Sequence, residues 1–191
     1  MQFSDGIVEI LLSTLESMAS GYRTETIRRL FIMNNRRHVV QILRECDFHL
    51  LYPPMHVTIL EQHLRMAKEA YISESWSKAE HFLKEEENQY EIFRNGDLTK
   101  SGRQHLKQRC SGFNHAFEEQ VHTQRQFSIP DRQLRDEVKE TAIRIIVPQY
   151  KAMVDKYGNV PFSTKVDTKY LKHSPEIIEK RLRSLYDDDK T

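Results

Sequence analysis

Two cysteines, six glycines and six prolines in 191 residues leave this chain few ways to staple, turn or break itself. Cys46 and Cys110 stand apart and alone, which argues against a disulfide framework and suits a reducing compartment. Scarce Gly and Pro, with frequent Leu, Glu, Lys, Arg and Gln, argue against a turn-rich β architecture and point to an all-α protein. Net charge is also lacking. Lys plus Arg (29) nearly cancels Asp plus Glu (28), so there is no global reason to expect a nucleic-acid partner, and any basic surface must be local. No run reaches the roughly 20 apolar residues that a spanning helix needs. The apolar stretch 7–15 is interrupted by Glu9 and Ser13 and has no basic leader, so it does not read as a signal peptide. Membrane contact, on this reading, is peripheral.

The vocabulary of catalysis is missing as well. There is no Gly-rich phosphate loop, no H-E-x-x-H and no cysteine pair at zinc spacing. Cys46/His49 and Cys110/His115 come nearest to ligand pairs, and neither has a second pair to complete a site. The nine histidines therefore read as surface or partly buried imidazoles. Glu85-Glu86-Glu87 and Asp187-Asp188-Asp189 read as solvated acidic faces. We expect no catalytic residue, no metal and no cofactor: a binding protein, not an enzyme.

What the chain does have is helical periodicity. Residues 4–22 place Ile7, Ile10, Leu11, Leu15 and Met18 on one face. Residues 24–46 follow, with Ile27, Leu30, Phe31, Asn34, Val39, Ile42 and Leu43 in or near the core. After a connector closed by Pro53-Pro54, a long helix over 57–84 carries Ile59, Leu60, Leu64, Ala67, Ala70, Tyr71, Trp76, Ala79 and Phe82. Residues 85–101, with the turn signal Asn95-Gly96-Asp97, read as a surface loop. Tyr71, Phe93 and Tyr157 read as core or turn residues rather than partner-binding hot spots.

Residues 102–126 and 129–158 form the central helical hairpin. Phe113, Ala116, Phe117, Gln120 and Val121 fall on the inner face of its first arm, with Glu118, Glu119 and Gln124 facing away. Ser128-Ile129-Pro130-Asp131 is the break, with Ser128 as cap and Pro130 in the first turn. Leu134, Val138, Thr141, Ala142 and Ile145 line the second arm, which Pro148 should kink and Gly158 should close. Ser174-Pro175-Glu176 starts a last helix over 175–186, with Ile177, Ile178, Leu182 and Leu185 inward, and 187–191 is an acidic tail.

Residues 165–183 hold Lys165, Lys169, Lys172, Lys180, Arg181 and Arg183 against Asp167, Glu176 and Glu179. If the stretch from Lys169 to Lys172 is helical, both ammonium groups point the same way with Tyr170 beside them. Such a cluster can grip anionic lipid headgroups at roughly 1 kcal/mol per cation. On composition alone it reads rather as an ordinary solvated surface.

Several segments narrow this choice. FNHAFEEQVHTQRQFSIPDRQLRDEVKETAIRIIVPQY resembles the C-terminal part of the exocyst seventy-kilodalton subunit (the Exo-seventy family), especially its plant members. There an F-N-x-x-F-E-E segment, a [VI]-P-D break, an L-R-x-x-[VLI] run and a P-x-Y element follow in this order. LFIMNNRRHVV, the Y-x-x-x-x-W-x-x-A spacing from Tyr71 to Ala79, and KYLKHSPEII resemble three further family segments. The resemblance runs from about residue 11 to residue 186, so residues 1–191 read as one C-terminal family domain. It corresponds to about the last third of a typical member, without the N-terminal coiled coil and first bundles, and leaves open a natural short form, a fragment or a shortened gene. The first helix would then be the one that normally packs on those bundles.

The resemblance implies an all-α, elongated stack of antiparallel helical bundles, about six helices here. It further implies an exocyst subunit that tethers secretory vesicles at the inner face of the plasma membrane, working beside other exocyst subunits. The family's two motif lysines, which help bind phosphatidylinositol 4,5-bisphosphate, fall on Lys169 and Lys172; Lys165, Lys180, Arg181 and Arg183 are supporting candidates from charge. Small GTPases and pathogen effectors are further candidate partners. The alternative is a protein-interaction module without lipid tethering, acting as a decoy, effector target or dominant-negative competitor in plant immunity.

Overall fold

Asp131 marks where the chain turns into its longest C-terminal helix. Its Oδ1 accepts a hydrogen bond from the Leu134 backbone N–H at 2.7 Å, which satisfies one of the donors that open every helix. The cap is thus Asp131 and not Ser128, and Pro130 precedes the helix instead of entering its first turn. The computed structural model describes residues 2–45, 54–84, 93–94, 97–158 and 170–187. Among these, the helices are α1 (Gln2–Ala19), α2 (Glu25–Glu45), α3 (Pro54–Leu83), α4 (Lys100–Gln124), α5 (Arg132–Tyr157) and α6 (Pro175–Arg183). Within the stretch read as a surface loop, β1 (Phe93–Arg94) pairs antiparallel with β2 (Asp97–Leu98), and Leu98 is buried. The protein is all-α in class, as expected.

The chain divides into two compact units: Met1–Ser75 with Ile129–Val138, and Trp76–Ser128 with Lys139–Thr191. In the first, Val8 of α1, Val40 of α2 and Leu60 of α3 form a core cluster, with Leu12, Val39, Leu43 and Leu64 packed against it. The buried face of α1 is therefore Val8, Leu15 and Ala19, while Ile7, Ile10 and Met18 are exposed. Residues 7–15 are apolar on two adjacent faces, so helical spacing alone does not select between them. Ile42 and Ile59, also expected near the core, are exposed on α2 and α3.

Two arginines of α2 hold this unit together. Arg36 is buried and donates to the His63 carbonyl at 3.1 Å and to Glu16 Oε1 at 2.7 Å, which joins α1, α2 and α3. Arg37 Nε lies 2.9 Å from Asp131 Oδ1, and Gln41 Nε2 donates to Asp131 Oδ2 at 2.6 Å. One carboxylate thus caps α5 and neutralises a cation of α2.

In the second unit an aromatic row runs through the interior. Trp76 meets Phe117 at 6.0 Å between centroids, Phe117 meets Phe113 at 5.6 Å, and Phe113 meets Tyr150 at 4.8 Å. All four are essentially inaccessible to solvent, and such offset ring contacts add to the burial of large apolar faces. Tyr157 of this unit, like Tyr71 of the first, is buried too, as their reading as core residues expects. Gln124 departs from expectation: it is fully buried, and its Oε1 accepts a hydrogen bond from the Tyr186 hydroxyl at 2.7 Å. Tyr186 itself has φ 58, a left-handed conformation costly for a bulky residue. Burial of its ring and this hydrogen bond offset that cost. Pro148 lies on the exposed side of α5, and the helix continues on either side of it.

Arg109 is likewise buried, and donates to the Phe82, Leu83 and Lys84 carbonyls at 3.2, 3.2 and 2.8 Å. It closes the C-terminal end of α3, where carbonyls lack helical partners. Close by, α4 passes the Phe82 ring at Gly112. A Cβ there would sit 2.4 Å from Phe82 Cε1.

Two stability measurements test these points. Asp131→Ala removes the α5 cap and the carboxylate facing Arg37, which keeps only its hydrogen bond to Gln133 among the described residues, and should lower unfolding free energy by about 2–4 kcal/mol in denaturant titration. Asp131→Asn, which keeps a capping oxygen, should lose less; equal losses would mean the cap contributes nothing. Gly112→Ala should cost about 1–3 kcal/mol through overpacking. In the Phe82→Ala background it should cost almost nothing, and full additivity would rule out the proposed clash.

Candidate functional site

Ser174 begins α6 as the sequence implies, its hydroxyl accepting from the Ile177 N–H at 3.4 Å with Pro175 in the first turn. Ile178 and Leu182 are fully buried and Leu185 nearly so, whereas Ile177 is exposed rather than inward. Immediately before this helix, residues 170–174 form a strap of turns and bends rather than a helix. The helical geometry that would align Lys172 with Lys169 is therefore not present over 170–174. Lys169 and Lys165 lie outside the described residues.

The strap is held to α4 and α5 at several points. Asn114 Nδ2 donates to the Tyr170 carbonyl at 2.9 Å. The Tyr150 hydroxyl donates to the His173 carbonyl at 2.6 Å, which ties the strap to the aromatic row. Lys107 Nζ lies 5.5 Å from the Tyr170 ring centroid, within cation–π range. The main tie is Glu118, expected from α4 periodicity to face solvent. Arg181 grips it with both terminal nitrogens, Nη1 to Oε1 at 2.7 Å and Nη2 to Oε2 at 2.6 Å. His173 Nε2 is 3.0 Å and Lys172 Nζ 3.6 Å from the same Oε1.

A forked guanidinium–carboxylate pair is strong and directional. The hydrogen bonds from Arg181 are the largest influence holding the Glu118 carboxyl down at about 2; His173 and Lys172 add to it, and partial burial opposes it. Arg181 also lies over the Phe117 ring at 5.1 Å. Its charge is spent on positioning α6 and the strap. Arg183 is similarly engaged, with Glu140 and with Glu179 at 2.8 Å. Lys180 is exposed and has no ion-pair partner among the described residues. Lys172 keeps 56% of its side chain accessible despite its contact with Glu118. Of the six candidate cations, Lys172 and Lys180 are the described ones that remain open to an external anion.

Of the acidic tail only Asp187 is described, and its side chain is exposed. Asp187 pairs with the buried Lys139 of α5, which fixes the chain just past α6. Residues 188–191 lie outside the described set. Glu118 and Gln124 were missed because their partners are 63 and 62 residues away. Only the polar letters inside FNHAFEE, at helical spacing with Phe113 and Phe117, could have pointed to Asn114 and Glu118.

Among the described residues no three His, Cys, Asp or Glu side chains gather where they could hold a metal ion. No described helix is long and apolar enough to cross a membrane. The Cys110 thiol is buried, and burial pushes it up to about 11.

Glu118 makes the strap sensitive to acid. With a folded value near 2 and an ordinary value near 4.5, its contribution is complete above about 4.5 and is lost as pH falls towards 2. Unfolding titrations across that window should show a stability loss that is smaller in Glu118→Gln. An unchanged slope in that variant would mean that the carboxylate is not held as described.

Over residues 2–184 the chain matches the family described as the C-terminal region of the Exo70 exocyst complex subunit. It is 28% identical to exocyst complex component EXO70C2 of Arabidopsis thaliana, over 95% of this chain and 25% of that protein. It is also 28% identical to human exocyst complex component 7, over 91% of this chain and 24% of that protein. The chain thus spans about a quarter of the length of these relatives. The crystal structure of the Saccharomyces cerevisiae exocyst component Exo70p has the same fold across 88% of this chain and 28% of that one, with a TM-score of 0.65 at 20% identity. The chain belongs to the Exo70 exocyst family, of which it represents the C-terminal region.

Proposed function

We propose that this chain works as a membrane-contacting part of an exocyst tethering subunit, binding rather than catalysing. In this reading Lys169 and Lys172, supported by Lys180 and Lys165, hold phosphatidylinositol 4,5-bisphosphate at the inner face of the plasma membrane. Other faces contact further exocyst subunits and bring secretory vesicles to that surface. Arg181 and Arg183 act differently from the lysines. Their carboxylate partners absorb their charge, so they set the position of the strap and α6.

The observation that carries the lipid part is the division of labour around Glu118. A bidentate arginine, a histidine and two backbone ties fix the strap, while Lys172 stays more than half accessible. A fixed backbone with an accessible ammonium lowers the ordering cost of meeting an anionic surface. Each cation near such a surface contributes roughly 1 kcal/mol, screened by salt.

Liposome co-sedimentation across a salt series tests this reading. The chain should bind vesicles containing phosphatidylinositol 4,5-bisphosphate, more weakly as salt rises, and Lys169→Ala/Lys172→Ala should weaken binding by roughly 10- to 30-fold at low salt. Unchanged affinity in the double variant would contradict it.

A further inference from the structure

Arg109 is 6% exposed, and among the described residues no aspartate or glutamate pairs with it. Arg36, at 9% exposed, differs in having Glu16 at 2.7 Å. A buried cation without a counter-charge is costly, so arginines taken out of water are normally paired. The three carbonyls at the end of α3 occupy Nε and Nη2 of Arg109, and they carry partial charges only. Its remaining nitrogen, Nη1, makes no hydrogen bond to any described residue and is not enclosed by protein.

Arg109 lines a cleft of about 440 Å³. Leu83 and Lys84, from the end of α3, border it on one side, and Ala152, Met153 and Tyr157 line it from successive turns of α5. All of these residues belong to the second unit. Leu83, Met153 and Tyr157 are buried, so the inner walls are apolar, whereas Ala152 and Lys84 are exposed. The Tyr157 ring is held by stacking on Phe93 of β1, with the two planes 7° apart. Lys84 reaches Glu80, one turn back, at 3.4 Å and keeps 63% of its side chain accessible, so it adds a mobile second cation. A volume of this order, with mostly apolar walls and a few fixed polar groups, is typical of a small-molecule site.

We propose that this cleft binds a small organic carboxylate with an apolar body. Arg109 Nη1 and Lys84 Nζ take the carboxylate, and the hydrocarbon part lies among Leu83, Met153 and Tyr157. Both halves of the ligand follow from the walls. A neutral apolar molecule would leave the buried guanidinium without a counter-charge, and a bare inorganic anion would leave the apolar walls uncovered. A forked donor already fixed by the α3 carbonyls meets a carboxylate at little ordering cost. The site is separate from the strap lysines and does not depend on the membrane reading.

The experiment uses the full chain with ¹³C-methyl-labelled alanine and methionine. It is titrated with phenylacetate, hexanoate, phenylacetamide or acetate while the methyl signals of Ala152 and Met153 are followed by NMR. Phenylacetate and hexanoate should shift both signals saturably, with a Kd of about 1 mM or tighter. Phenylacetamide keeps the body and loses the charge, acetate does the reverse, and each should bind at least about 10-fold more weakly. Ala152→Phe, a change at an exposed position, should fill the cleft and abolish the response at Met153 with unchanged thermal unfolding. Lys84→Gln should weaken phenylacetate by about two- to fivefold. Equal binding of phenylacetate and phenylacetamide would overturn the carboxylate assignment. Undiminished binding in Ala152→Phe, or no saturable shift from either apolar carboxylate up to roughly 20 mM, would overturn the site itself.

Discussion

The Glu118 carboxylate is the contact on which the placement of α6 and the strap in the second unit depends. It sits on α4, one residue beyond Phe117 of the aromatic row, and receives Arg181 from α6 and His173 and Lys172 from the strap. Without that shared acceptor, three cationic or protonatable groups would crowd the same corner. With it, one cation is neutralised by a forked pair and its neighbour Lys172 is left largely accessible. The local charge pattern is therefore a product of tertiary structure, not of the composition of residues 165–183.

The segments that carry the family resemblance meet in space. In the first unit, LFIMNNRRHVV supplies Arg37, and the residue just after it, Gln41, also reaches the Asp131 of SIPD. In the second, FNHAFEE supplies Asn114 and Glu118 to KYLKHSPE, and Tyr150 of VPQY reaches the His173 carbonyl. Each motif pairs a helix that packs with a connection that must be held. A physical reason for those letters follows: the apolar ones form the core, and the polar ones clamp the backbone where it leaves a helix.

Much of this was legible in the chain before its structure. Helix number, class and the Ser174-Pro175 start follow from periodicity and capping, which are local. The failures are also local in origin. On α1 two adjacent apolar faces were available, and only the partners Val40 and Leu60 select Val8 over Ile7. Ser128 and Asp131 both suit a cap, and Asp131 takes the role while also meeting Arg37. Glu118 and Gln124 read as outward because helical spacing says nothing about an Arg181 guanidinium or a Tyr186 hydroxyl arriving from over sixty residues away. The basic segment was visible, but the pairing that separates Lys172 and Lys180 from Arg181 and Arg183 was not.

The central proposal is that the strap, fixed against α4 and α5, presents lysines to an anionic membrane from a held backbone. Hydrogen–deuterium exchange on the full chain, with and without vesicles containing phosphatidylinositol 4,5-bisphosphate, tests it directly. The account predicts new protection in peptides covering residues 170–174, reversed by high salt, with little change in peptides from α1 and α2. Protection confined to other surfaces, with residues 170–174 exchanging as they do in solution, would contradict it.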